Sequence, residues 1–419
     1  MKPHRIPPCS RRAFLTSLGA AAAASLLPAR LRAAEPRRPF EVSASLYAWD
    51  LHDEGVERVL DNLQEMSAVN SVYLIGVMHP ERRPFRSGTF PHNPVRSTWM
   101  AEDARCYWHP DLGRYGRIKP RLSDHAWLSD TDWARVLGDA ARRRGLRFGI
   151  EQSHALVDRE RAEGEFADVA QRNLHGEITH VRDWLRPLCP NHPATREYVQ
   201  ALFADVNASY APDYFQLCMI LFDEARDGRP DRGGGCFCDA CKRTARASGL
   251  DLGKVQAALL ADPGSQPALR DWQEFRYQSS ARFYAVTHAA VHARRAEIDL
   301  RYNLHMTNPL DWGVQLTTMQ PNLDSLRVMD YTEQEGDPAL MPAKRRRLAG
   351  LRQELRPDLP IISCIGVRLN ATPALVSEGV RISVETGMDG IALGHYDGAT
   401  FPMLRGIRTG LAESKKLPA

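Results

Sequence analysis

Eight short apolar runs recur along the chain, and most are followed by a stretch in which apolar residues return at helical spacing. Near-continuous apolar runs are typical of strands that are buried on both faces of a parallel sheet. The alternation predicts an α/β fold, a single (β/α)8 TIM barrel. The predicted strands are residues 41–47, 71–78, 146–152, 214–222, 300–305, 325–330, 360–367 and 390–395.

Helical patterns lie between these strands, and cap residues mark some of their ends. Asp130 is expected to cap one helix at its N-terminus, and Gly145 to end it. Thr372 before Pro373 predicts another helix start, and Gly387 its end. The predicted helices are residues 53–68, 131–144, 194–210, 268–298, 338–355, 372–387 and 401–415.

Two long loops are predicted, residues 79–128 after the second strand and residues 153–193 after the third. Loops that follow barrel strands form the catalytic face of this fold. The first loop is rich in aromatic rings, which stack well on the apolar C–H faces of sugars. Most of these rings are expected to pack the loop onto the barrel, and two or three to face a ligand. They are Phe85, Phe90, Trp99, Tyr107, Trp108, Tyr115 and Trp127.

The N-terminus has the pattern of a targeting segment. Ser10-Arg-Arg-Ala-Phe-Leu15 precedes an apolar stretch over residues 16–27, which predicts a twin-arginine export signal. The alternative is a basic amphipathic helix. We expect residues 1–34 to be the signal, residues 35–419 to be the barrel domain, and the mature protein to be periplasmic or secreted.

The composition of the chain limits the kinds of partner that it is expected to bind. A hydrophobic content of 43% supports a full core, and the formal net charge is +4. Because no basic run is interleaved with aromatic residues, nucleic-acid binding is not expected. The apolar N-terminal stretch is too short for a comfortable membrane span, and no other candidate span is evident. No membrane contact is therefore expected after signal removal, and the oligomeric state stays open.

Polar residues stand at the carboxyl end of most predicted strands, where a barrel gathers its active site. Carboxylates from different strands would allow paired acid–base chemistry on a glycosidic bond of a carbohydrate. The candidate catalytic residues are Glu224, Asp330, Asp223 and Glu151. The candidate substrate-binding residues are Tyr47, His79, His154, Asn303, His305, Tyr331, Arg368, His395 and Asp397.

Two alternatives compete with these roles. Glu224 could form a salt bridge with Arg226 at the end of its loop. The histidines together with the acids could hold a catalytic metal, as in metal-dependent hydrolases or lyases.

Three cysteines lie within six residues, in Cys236-Phe-Cys238-Asp-Ala-Cys241, and Cys189 lies upstream. Four thiolates can close a tetrahedral zinc site and leave no position for water, so the predicted zinc is structural. Structural thiols or a disulfide are the alternatives. Cys218 and Cys364, in apolar strands, are expected to be inert core thiols.

From Cys189 to about residue 247, the chain resembles the family 42 glycoside hydrolases, which include β-galactosidases. Cys189-Pro, Phe222-Asp-Glu224 and Cys236-Phe-Cys238-Asp-Ala-Cys241-Lys carry the resemblance. It implies that Glu224 is the general acid/base, that Asp223 replaces a substrate-contacting asparagine, and that the cysteines bind zinc.

The chain departs from that family at the seventh strand. The family places a nucleophilic glutamate at the end of this strand, whereas residues 360–367 contain no acid. Three possibilities follow: Asp330 supplies the second carboxylate, the chemistry differs, or the barrel binds sugar without cutting it.

Overall fold

The computed structural model describes residues 39–76, 90–97, 105–152, 155–179, 185–218, 221–305 and 308–417. Eight strands close into a parallel barrel in the order β1-β10-β9-β8-β7-β6-β3-β2, which confirms the TIM barrel. The strands are β1 Glu41–Leu46, β2 Ser71–Ile75, β3 Arg147–Gln152, β4 Leu156–Asp158, β5 Leu185–Pro187, β6 Tyr214–Leu217, β7 Asp299–His305, β8 Ser325–Met329, β9 Ile361–Gly366 and β10 Gly390–Gly394. The proposed export signal lies outside the described residues.

Helices surround this barrel, and each predicted helix is present with bounds shifted by a few residues. The α-helices are α1 Ala48–Glu54, α2 Val56–Ser67, α3 Ala126–Ser129, α4 Trp133–Arg143, α5 Arg159–Glu163, α6 Pro193–Tyr210, α7 Asp239–Ala247, α8 Leu252–Ala261, α9 Gln266–His292, α10 Leu316–Met319, α11 Met341–Glu354, α12 Pro373–Glu385 and α13 Phe401–Glu413.

Two local details differ from the sequence-based expectation. Asp132, and not Asp130, caps α4, because its side chain accepts a hydrogen bond from the backbone N–H of Arg135. The short strands β4 and β5 pair antiparallel inside the second of the predicted long loops, residues 153–193. Three-residue strands carry too little periodicity to stand out in a sequence. The Thr372 cap is confirmed, since its side chain accepts from the N–H of Leu375.

Buried charged side chains pair across the interior of the barrel. Near the amino-terminal end, Glu41 of β1 accepts hydrogen bonds from both terminal nitrogens of Arg301 on β7, at 2.8 and 3.0 Å. These two strands are not neighbours in the sheet, so the pair spans the interior. Arg147 donates a further hydrogen bond at 2.5 Å. Burial alone would raise the pKa of Glu41, but the two arginines hold it below its ordinary value.

We predict that Glu41→Gln lowers the free energy of unfolding by about 2–3 kcal/mol, because it removes the charge that accepts from Arg301 and Arg147 and leaves Asp299, 3.0 Å away, as the carboxylate partner of Arg301. Glu57 provides a matched control, since it also accepts from two arginines but is 59% exposed. Glu57→Gln should cost less than about 1 kcal/mol. Urea unfolding of both variants measures the difference. Equal losses would contradict a central role for the interior pair.

Candidate active site

A buried carboxylate lies at the carboxyl end of the barrel. Glu151 of β3 is 6% exposed. Its Oε2 atom accepts hydrogen bonds from Gln216 of β6 at 2.6 Å and from Asn303 of β7 at 3.5 Å. The guanidinium of Arg327 on β8 lies 3.9 Å from the same oxygen. Four neighbouring strands of the barrel thus contribute side chains to the surroundings of this carboxylate.

Several buried polar atoms around Glu151 have no hydrogen-bond partner. Within the described part of the chain they include Gln216 Oε1, Asn303 Oδ1, His305 Nε2 and Arg327 Nε. Buried polar groups are rarely left unpaired, because an unpaired group loses its hydration without compensation. Such a group of donors and acceptors suits a ligand with many hydroxyls or ordered water.

His305 and Tyr331 complete this group. The ring of His305 stacks on Trp312, with centroids 5.6 Å apart. Burial, aided by the charge of Arg327, lowers the pKa of His305. The hydroxyl of Tyr331 accepts from Arg327 at 3.1 Å, and burial raises its pKa. We call Glu151, Gln216, Asn303, His305, Arg327 and Tyr331 the mouth cluster.

A second group lies at the carboxyl ends of β1 and β10, and we call it the rim cluster. The ring of Tyr47 stacks on Trp49 and on His395, with centroids 4.3 and 5.1 Å apart. Ser45 Oγ lies 3.3 Å from His395 Nδ1. Asp50 and Asp397 are both buried nearby. Burial, then the negative charge of Asp397, raises the pKa of Asp50 well above its ordinary value.

Arg368, which follows β9, reaches the loop after β10. A side chain at Gly398 would collide with its stem, since an added Cβ would lie 2.3 Å from Arg368 Cδ. Four of the predicted substrate-binding residues therefore lie around the β1, β9 and β10 ends, and three lie in the mouth cluster. The other two, His79 and His154, lie outside the described residues.

Asp223 and Glu224 follow the fourth barrel strand, β6. The backbone of Asp223 is fixed at both ends: its N–H donates to Gln171 Oε1 at 3.2 Å, and its carbonyl accepts from Arg276 at 2.8 Å. The side chain of Glu224 is 38% exposed and lies 4.0 Å from Arg226, which is itself 76% exposed. An exposed pair at that separation holds the carboxylate weakly, so Glu224 remains available to a ligand.

Asp330 occupies a different environment from the one expected of a catalytic carboxylate. Oδ2 accepts from Arg347 Nε at 2.9 Å, and Oδ1 accepts from the hydroxyl of Thr332 at 2.5 Å. Lys344 donates to its carbonyl at 2.9 Å. Burial alone would raise the pKa of Asp330, but Lys344, Thr332 and Arg347 hold it below its ordinary value. This geometry argues against acid/base work by Asp330 and favours anchoring of α11.

The sequence did not single out Gln216 and Arg327 of the mouth cluster, or Trp312, which stacks on His305. Gln216 and Arg327 lie inside strands rather than at strand ends, and Trp312 lies in a short 3-10 helix, Pro309–Trp312. A signal for the first two was present, because a glutamine or arginine within an apolar strand must find a polar partner. Trp312 carried no comparable signal.

The four predicted zinc ligands converge. The sulfur atoms of Cys189, Cys236, Cys238 and Cys241 are buried and lie within 4.8 Å of one another. The Sγ–Sγ distance is 3.5 Å from Cys189 to Cys241 and 3.4 Å from Cys189 to Cys238. A tetrahedral zinc–thiolate centre would space its sulfurs by about 3.8 Å. Among the described cysteines none forms a disulfide, and Cys218 and Cys364 are buried as predicted.

Two further donors approach the cysteine cluster. The backbone N–H of Arg172 donates to Cys236 Sγ at 3.3 Å, and the side-chain amide of Asn191 donates to Cys241 Sγ at 3.3 Å. Such bonds orient thiolate ligands and stabilise their negative charge. The donor set and the spacing therefore fit a tetrahedral zinc ion.

Comparison with solved structures finds glycoside hydrolase barrels. The PgaB (BpsB) glycoside hydrolase domain from Bordetella bronchiseptica has a TM-score of 0.58 at 14% identity, over 91% of this chain and 98% of that chain. Alpha-L-fucosidase isoenzyme 2 from Paenibacillus thiaminolyticus has a TM-score of 0.57 at 14% identity, over 90% of this chain and 49% of that one. A GH42 β-galactosidase from G. stearothermophilus has a TM-score of 0.56 at 12% identity, over 90% and 57%.

These likenesses establish the class of fold, a TIM barrel of the kind that glycoside hydrolases use. The chain spans about half the length of the fucosidase and of the β-galactosidase. No family model and no curated protein sequence matches it. Among the helices of the described residues, none combines the length and the hydropathy of a membrane span.

We predict that Asp330→Asn destabilises the protein by about 1–3 kcal/mol at neutral pH, through loss of charge-assisted hydrogen bonds. The pKa of Asp330 in the folded protein lies below its ordinary value of 3.8. Its stabilisation is therefore present above that pH and is lost as the pH falls through the folded pKa. Chemical unfolding at pH 7 and near pH 3 should show the difference between the two proteins shrinking. A constant difference would mean that the charge of Asp330 is not the cause.

Proposed function

We propose that this protein is an exported glycoside hydrolase that acts on a poly- or oligosaccharide through carboxylate acid/base chemistry. The observation that carries the proposal is the mouth cluster, in which buried polar atoms without partners surround Glu151. A sugar offers hydroxyls that can both donate to and accept from such atoms. The solved structures of similar fold, which are glycoside hydrolases, support the same class of reaction.

In the proposed reaction, Glu224 is the acid/base. Its half-exposed side chain can exchange protons with solvent, donate one to the glycosidic oxygen, and later accept one from the attacking water. Glu151 is the second carboxylate and replaces Asp330 in that role. Its negative charge would stabilise the positive charge that develops on the sugar ring, either as a nucleophile or electrostatically.

The remaining site residues would bind the sugar. Asn303, His305 and Tyr331 would contact its hydroxyls in the mouth cluster. Tyr47 and His395 would provide aromatic surface in the rim cluster, beside Arg368 and Asp397. His79 and His154 stay proposed contacts from the loops. Asp223 would position the substrate, as the resemblance to family 42 implies.

Zinc at Cys189, Cys236, Cys238 and Cys241 is proposed as a structural ion. When bound, it would hold the loop of residues 233–241 in place. That loop packs directly on the acids, since an added Cβ at Gly233 would lie 2.8 Å from the carbonyl oxygen of Glu224. Export by the twin-arginine route, which carries folded proteins, is compatible with metal loading before translocation.

One alternative is a barrel that binds sugar without cutting it. The observation that favours it is β9, the seventh barrel strand, whose residues Ile361–Gly366 include no acid. Binding of a glycan without release of reducing ends would support this alternative.

We predict that Glu224→Gln and Glu151→Gln each lower kcat by at least about 100-fold, because each removes a group that acts in the transition state. Glu65→Gln, an exposed change on α2, is the control and should match the wild type. The assay is reducing-sugar release from a panel of polysaccharides and aryl glycosides. Activity of both glutamine variants within a few-fold of the wild type would refute these roles.

Loss of the zinc site is expected to lower the stability of the fold and to loosen the loop of residues 233–241. Cys241→Ser should lower the zinc content, measured by mass spectrometry of the protein after brief washing with a chelator, from one equivalent towards zero. It should also destabilise the fold, because a structural zinc contributes folding energy. Cys364→Ser, at a buried thiol outside the cluster, is the control and should keep its zinc. Equal zinc content in both variants would contradict the assignment.

A further inference from the structure

Two histidines and an aspartate converge at the end of the barrel opposite the mouth cluster. His288 and His292 lie four residues apart in the last turns of α9, on one face of the helix. Asp324 immediately precedes β8. Nε2 of His288 lies 3.0 Å from one carboxylate oxygen of Asp324, and Nε2 of His292 lies 2.7 Å from the other. We call these three residues the lower cluster.

The hydrogen bonds of His292 fix its protonation pattern. Its Nδ1 atom lies 2.8 Å from the carbonyl oxygen of Ala296. A carbonyl only accepts, so Nδ1 carries a proton. In a neutral ring, Nε2 then presents a lone pair to the carboxylate oxygen. With Nε2 facing a carboxylate oxygen, one metal ion could take both atoms as ligands.

The remaining geometry suits a metal ion. The ligating atoms of His288, His292 and Asp324 lie within 4.8 Å of one another. The side chains are 22%, 22% and 25% exposed, so water can reach the open coordination positions. Ligand atoms of a tetrahedral ion lie about 3.4 Å apart, which shifts of a few tenths of an ångström would provide. Two imidazoles and a carboxylate suit zinc, nickel or copper.

Neighbouring groups hold these ligands in position. Asp324 Oδ2 also accepts from the backbone N–H of Leu300 at 2.9 Å, which orients the carboxylate. The Ala296 carbonyl does the same for the ring of His292. Outer partners of this kind accompany true metal ligands.

We propose that His288, His292 and Asp324 bind one divalent transition-metal ion, such as zinc. The ion would connect the end of α9 to the start of β7 and β8. It would lie at the face of the barrel associated with stability rather than with catalysis. The site is separate from the cysteine cluster and does not depend on the proposed glycosidase activity.

The test is a zinc titration of the full mature protein after brief washing with a chelator. Metal retained by the cysteine cluster is first measured by mass spectrometry, so that only added zinc is counted. The wild type should bind one further equivalent, and zinc should raise its unfolding temperature, because a ligand of the folded state stabilises it. His288→Ala and His292→Ala should each weaken this binding by about tenfold or more.

Two further variants sharpen the test. Asp324→Asn keeps an oxygen that can accept from Leu300 N–H but removes the charge, and it should also weaken binding. His175→Ala removes an exposed histidine elsewhere on the molecule and should bind zinc as the wild type does. Absence of the further equivalent in the wild type, or equal affinity in all the variants, would overturn the proposal and leave a histidine–aspartate ion pair.

Discussion

Closure of the parallel sheet into a barrel determines which side chains of this chain can meet. Strand β1 pairs with β2 on one side and with β10 on the other. Because all eight barrel strands run in the same direction, their carboxyl ends meet at one mouth. Residues separated by hundreds of positions in sequence therefore become neighbours there. The same closure forces polar side chains of opposite strands to satisfy one another inside the barrel.

Hydrogen bonds connect the cysteine cluster to the acids that follow β6. Gln171 accepts from the N–H of Asp223, and the next residue, Arg172, donates its own N–H to Cys236. A shift of the cysteine loop would thus be transmitted to Asp223 and Glu224 through a few hydrogen bonds. Through this coupling, the proposed structural zinc would act on the proposed chemistry of Asp223 and Glu224.

The sequence alone was sufficient for the architecture, because the alternation of buried strands and helices depends only on local periodicity. It was also sufficient for the cysteine cluster, whose spacing is specific. It was insufficient for the choice of carboxylates. Asp330 and Glu151 both stand at strand ends, but the structure ties Asp330 to Arg347 and turns Glu151 toward Gln216 and Asn303. Side-chain direction and cross-strand partners depend on strand order and register, which a single sequence does not encode locally.

Sugar binding by the mouth cluster is the step on which the proposed function rests. The most direct test is a crystal structure of Glu224→Gln soaked with an oligosaccharide that the wild type cleaves or binds. Sugar hydroxyls are expected within hydrogen-bonding distance of Gln216, Asn303 and His305, with Glu151 beside the ring to be attacked. A sugar bound elsewhere on the barrel, or a mouth cluster whose polar atoms are satisfied by the protein's own loops, would refute sugar binding at the mouth cluster.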